Sequence, residues 1–146
     1  PQSRKDRYMT SLIEAPYPFQ ETLGFTVTDW SDGACTLTQP LHDHLGNRYH
    51  ILHGGVHATL LDTAMGFAVA YTGDPDLRQL VMTLSLNVNY LGVATGEAVT
   101  ATGRKTGGGR KTAFASGELH DSTGALIATA TAVFRYRGTE QRTDTK

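Results

Sequence analysis

The sequence predicts an α+β chain in which a curved antiparallel sheet of five or six strands wraps around one long central helix. Three observations carry that expectation. One run, from Gly55 to about Tyr71, is apolar on nearly every side; the remaining runs are short and β-prone with period-two alternation; and the connections between those runs are too short for parallel crossovers. A length of 146 residues and a mass of 15.8 kDa suit one core, so residues 1–146 are expected to form a single domain.

In chain order, Phe25 to Trp30 and Ala34 to Gln39 read as a hairpin turning at Ser31-Asp32-Gly33. Residues Pro40 to Leu52 look irregular. The helix follows, with Asp62 as its only carboxylate, and Gly73, Asp74 and Pro75 stop it. Leu80, Met82, Leu84, Leu86, Val88 and Tyr90 then form one face of a strand, expected on the core, with Val81, Thr83, Ser85, Asn87 and Asn89 opposite. Three more strands are expected near Glu97 to Lys105, Lys111 to His120 and Leu126 to Tyr136. Their connections, Gly92 to Gly96, Gly107 to Gly109 and Asp121 to Gly124, are rich in turn residues and predict antiparallel neighbours. The ordered core is therefore expected over about 23–136, with loose first residues and a polar tail at 138–146.

Thirteen Lys plus Arg against fourteen Asp plus Glu leave a net charge of -1, which argues against a nucleic-acid or membrane-surface partner. Charged residues make up 18%, fewer than the roughly 25% of ordinary soluble domains, which points to surface covered by self-association. One cysteine, Cys35, excludes an internal disulfide and suits a reducing compartment, and no secretory or membrane-spanning run is present, so a cytoplasmic location is expected.

Chemistry concentrates between Asn47 and Gly66. Gly54 and Gly55 open the helix, where unobstructed backbone N–H groups and the positive helix end can stabilise an oxyanion; a plain tight turn is the other reading. Asp62 is a carboxylate among apolar neighbours, costly unless it is hydrogen-bonded or lines a cavity. Small or apolar neighbours at Ala58, Thr59, Met65 and Gly66 leave room for a ligand, and a structural Asp bonded to Thr59, Thr63 or a strand hydroxyl is the alternative. Eight positions separate Gly54 from Asp62, roughly 12 Å along one helix. They can meet one reacting carbonyl only if two chains supply them, with helices antiparallel across a two-fold axis.

His53-Gly54-Gly55 followed by Asp62 and Gly66, with Asn47 upstream and the strand from Thr83 to Tyr90 downstream, resembles the hotdog-fold acyl-CoA thioesterases, most closely the phenylacetate-pathway (PaaI) type. The resemblance spans about Leu23 to Tyr136. It implies the hotdog fold, a thioester hydrolase acting on an aryl- or medium-chain acyl-CoA, and a homodimer or homotetramer. It further implies Asp62 as nucleophile or general base, Gly54 as oxyanion donor from the opposite subunit, Asn47 assisting that donor, His53 shaping the helix entrance and Thr83 orienting Asp62 or its water. Gly55, Met65 and Gly66 are expected to contact substrate. Arg104, Arg110 and Lys111, with Lys105, flank the glycine turn as a basic cluster able to dock coenzyme A phosphates; a solvated hairpin tip is the other reading.

Neither a metal nor a cofactor is expected, coenzyme A being part of the substrate. His42, His44, His50, His53 and His57 are close in sequence but lack metal-site spacing. The alternative function is a non-catalytic module that binds acyl-CoA. A dehydratase using His53 and Asp62 on an acyl thioester is a third.

Overall fold

The computed structural model describes residues 12–143. Helix α1 (Pro18–Leu23) precedes hairpin strands β1 (Thr26–Ser31) and β2 (Ala34–Pro40); a 3-10 turn spans Asp43–Leu45; helix α2 runs Gly54–Ala70; and β3 (Leu77–Tyr90), β4 (Ala98–Gly108), β5 (Thr112–Asp121) and β6 (Leu126–Gln141) follow. All six strands form one antiparallel sheet ordered β1-β2-β4-β5-β6-β3. Helix α1 carries no long apolar period, so the sequence did not reveal it. A proline in its first turn starts it, and Gly24, at φ 90°, ends it in the left-handed region.

The sheet curls around α2 because its concave face is built from small residues. Ala101 and Gly103 on β4, Ala113, Ala115 and Gly117 on β5, and Ala128, Ala130 and Ala132 on β6 let the helix settle close. At Gly103 a Cβ would stand 2.4 Å from the Ala64 carbonyl, so glycine is required for this approach. Leu60, Leu61, Ala64, Met65 and Ala68 are buried against that surface. The helix is thus covered on one side and only half-buried on the other, at Thr59, Asp62, Thr63, Gly66, Phe67 and Ala70, in place of the all-round burial its composition suggested.

Three further expectations are corrected. Strand β3 does not neighbour β4 despite the short connection; it pairs with β6 at one edge of the sheet while β4 lies inside it between β2 and β5, so residues 91–97 span the width of β5 and β6, a distance that the curl of the sheet shortens. The even-numbered face of β3 is not on the core: Met82 and Leu84 are 54% and 56% exposed, while Val81 and, beyond a register shift between Thr83 and Ser85, Val88 pack against it. An edge strand has one uncovered flank, and its alternation does not say what covers it. The polar tail begins later than expected, since 138–141 belong to β6, of which 139–141 pair with 77–79 of β3, and Arg142 is buried; 144–146 and the N-terminal run 1–11 lie outside the described residues.

Candidate active site

Helix α2 and strand β3 run antiparallel beside each other, and two side chains of β3 hydrogen-bond the helix. Thr83 Oγ1 donates to Asp62 Oδ1 at 2.7 Å. Further along, Tyr90 donates its hydroxyl to the Gly54 carbonyl at 2.7 Å. Burial pushes the Asp62 carboxyl above the ordinary aspartate range, and the Thr83 hydrogen bond draws it part of the way back. Among the described residues Asp62 Oδ2 accepts no hydrogen bond, so one oxygen is fixed and the other remains to act.

Asp62 opens onto a cleft of about 320 Å³ between α2 and β3. Gly66 lines it, but Met65 does not. Met65 steps round the helix the other way, is fully buried and lies under Gly117 of β5, so its assignment to the substrate pocket is corrected: at 3.6 residues per turn the i+3 and i+4 neighbours of Asp62 fall on opposite sides of it. Tyr17 also lines the cleft, a residue the sequence did not single out. Burial raises its phenol, a hydrogen bond with Thr63 lowers it, and the Asp62 charge raises it again.

At the helix start, His53 is the cap: its Nδ1 accepts from the Gly55 N–H at 2.8 Å. The two glycines therefore differ. The Gly55 N–H is engaged by His53, so it is not available to a ligand, whereas the Gly54 N–H has no partner among the described residues. A side chain at either position would crowd a neighbouring ring. A Cβ on Gly55 would lie 2.9 Å from His53 Nδ1, and one on Gly54 would lie 3.3 Å from the Tyr90 ring. Behind Tyr90 packs His57, 3% exposed, its ring centroid 5.3 Å from that of Tyr90 and its pKa lowered by burial. A neutral packing role follows for His57.

Asn47 shapes the loop that delivers α2. Its Oδ1 accepts from Tyr49 N at 2.8 Å and Ile51 N at 3.4 Å, which holds His50 in the left-handed region at φ 59°. Cys35 is buried, and burial pushes its thiol up to about 12, far from a nucleophile.

The basic residues are not one cluster. Arg104 lines a cleft with Glu118, while Arg110 and Lys111 line another, of about 510 Å³, with Arg135 and Tyr136; strand alternation and the shift between Lys105 and Gly107 separate them. Gln79 lines both this second cleft and the Asp62 cleft. Arg135 could not be foreseen, because β5–β6 pairing alone sets it opposite Thr112.

A sequence profile of the Thioesterase superfamily matches residues 49–128. The chain belongs to that superfamily. It is thus a thioester hydrolase with the hotdog fold, whose helix and curled sheet are those just described. The medium/long-chain acyl-CoA thioesterase YigI of Escherichia coli strain K12 is 34% identical over 132 residues, covering 80% of this thioesterase and 84% of the relative. A Halobacterium salinarum chain named as an esterase is 41% identical over 80 residues, and this chain spans about half of that relative, 53% of its length. Among solved structures, a thioesterase family protein from Silicibacter pomeroyi superposes with a TM-score of 0.74 at 28% identity, over 82% of this chain and 89% of the other. The Escherichia coli PaaI protein shares the fold, with a TM-score of 0.74 at 19% identity over 82% and 84% of the two chains. Among the described residues no helix is long and apolar enough to cross a membrane.

Proposed function

We propose that this thioesterase hydrolyses an aryl- or medium-chain acyl-CoA as a homodimer, with Asp62 as general base and the Gly54 N–H of the opposite subunit as oxyanion donor. The observation that carries the reading is Asp62 itself, a half-buried carboxylate with Oδ1 held by Thr83 and a cleft beside it. Water bound to Oδ2 gives up a proton as its oxygen bonds to the thioester carbon. The carbonyl oxygen becomes an oxyanion at Gly54. Collapse breaks the carbon–sulfur bond, the departing coenzyme A thiolate takes the proton that Asp62 received from water, and the free acid is released.

A dimer is required because Gly54 and Asp62 of one helix are about 12 Å apart. The uncovered β3 edge, with Met82, Leu84 and Leu86 exposed, suits a second copy of this chain. Tyr90 positions the Gly54 peptide, His53 shapes the entrance, and Asn47 stiffens the loop behind the donor. Arg110 and Lys111, joined by Arg135, all of the opposite subunit, suit the coenzyme A phosphates, since in their own chain this cleft adjoins Gln79, at the end of the Asp62 cleft away from Asp62; Arg104 lines a separate cleft. That YigI is named for medium- and long-chain acyl-CoAs agrees with the apolar cleft.

Release of free thiol from a panel of acyl-CoAs tests the activity. A single turnover in water enriched in oxygen-18 tests the role of Asp62: label is expected directly in the released acid, and label first in the enzyme carboxylate would mean that Asp62 attacks the carbonyl itself. Sedimentation should give a dimer or a larger even assembly; a working monomer would end the two-subunit scheme.

A further inference from the structure

The cleft at Asp62 extends in one direction only. Its helix wall is Thr63, Gly66, Phe67 and Ala70, all C-terminal to Asp62, and its strand wall runs from Thr83 back to Arg78. Because Tyr90 meets Gly54 and Thr83 meets Asp62, the antiparallel arrangement brings the start of β3 alongside the end of the helix. From Asp62 to Ala70 the helix rises about 12 Å. Between these limits Phe67, Leu80, Val81 and Phe134 make the walls apolar. Gly66 widens them, for a Cβ there would stand 3.5 Å from the Phe134 ring.

At the far end the chemistry changes. Glu14, from the segment before α1, closes the cleft together with Arg78, while Tyr17 of the same segment stands nearer the reacting end, beside Thr63. Arg78 Nε donates to Glu14 Oε1, and its Nη1 donates to Glu140 Oε1 at 2.9 Å. Arg142, 5% exposed, holds the same segment from behind through the Leu12 carbonyl at 2.9 Å and the Ile13 carbonyl at 3.3 Å.

We propose that residues 12–14, pinned by Arg78 and Arg142, form the end wall of the acyl pocket and set the longest acyl group this thioesterase accepts. The inference rests on Asp62 marking the reacting end, the reading given above. An acyl group that reaches past the wall must displace a partly buried ion pair, so each methylene beyond the limit costs binding in the transition state. An acyl chain ending in its own carboxylate would set that charge between apolar walls or against Glu14, whose guanidinium partner is already engaged, so such a chain is disfavoured. The substrate class is a neutral acyl group of medium length, or an aryl acyl group that fits between Phe67 and Phe134.

The test is kcat/KM across straight-chain acyl-CoAs from butyryl to palmitoyl, with phenylacetyl-CoA and adipoyl-CoA added. The wild type should show a limit beyond which each methylene lowers kcat/KM by about tenfold, and adipoyl-CoA should be a poor substrate. Glu14→Ala and Arg78→Ala, made separately, should move that limit to longer chains through KM, and Arg78→Lys should restore it. A wild-type profile with no limit up to palmitoyl, or a limit unmoved in both alanine variants, overturns the wall. Dissociation constants of the same acyl-CoAs for Asp62→Asn read the limit without turnover. If the wild type turns over nothing while binding still shows the limit, the catalytic reading fails and the wall stands.

Discussion

The two faces of α2 obey opposite rules. Toward the sheet, Leu60, Leu61, Ala64, Met65 and Ala68 are packed until glycine is the only residue that fits opposite them at Gly103. Toward β3, Asp62, Thr63, Gly66, Phe67 and Ala70 line empty space, and a glycine there widens a cleft. The same residue type closes a contact on one face and opens a cavity on the other. Stability is therefore concentrated on the sheet side, and the chemistry sits where packing is left incomplete.

Substitutions on each face should separate these roles. The largest effect is expected from Asp62→Asn, which should lower kcat by about a thousandfold, roughly 4 kcal/mol of barrier, without loss of folding in thermal melts. Its stability sign follows from the raised pKa. A carboxyl favoured in its protonated form by the fold stabilises fully below the ordinary aspartate value of 3.8 and loses that contribution as pH rises through its higher folded value. At pH 7 the Asn variant should therefore melt no lower than the wild type, and a lower melting temperature would contradict the cleft-side role.

Next comes Gly103→Ala on the packed face. Its Cβ would meet the backbone of Ala64 at 2.4 Å, so unfolding should become easier by about 3 kcal/mol or more, read by denaturant titration. An unchanged midpoint would remove the contrast between the faces. Tyr90→Phe deletes the hydrogen bond to the Gly54 carbonyl and keeps the ring, so kcat should fall several-fold, about 1 kcal/mol, with KM little changed. The smallest effect is Thr83→Val. Activity needs Asp62 ionised and should fade, as pH drops, in a range above 3.8; losing the hydrogen bond that favours the charged form should move this acid limb to higher pH in a kcat profile.

Much of this molecule is legible from local pattern. The helix, expected from Gly55 to about Tyr71, runs Gly54–Ala70, and all six strands lie within a few residues of their expected places, because periodicity reports steric and hydrophobic rules that act over one or two turns or pleats. Asp62 could be noticed for a similar reason: one charge in an apolar run is visible without a fold. Pairing and facing could not be read in that way. Thr83 meets Asp62 across 21 residues and Tyr90 meets Gly54 across 36. Which strand lies beside β3, why Met65 turns to the sheet while Gly66 turns to the cleft, and how Arg142 pins a segment 130 residues earlier depend on long-range contacts made simultaneously. Local sequence specifies what each segment is; only tertiary packing decides what each face meets, because every strand and helix has two sides and nothing nearby in the chain chooses between them.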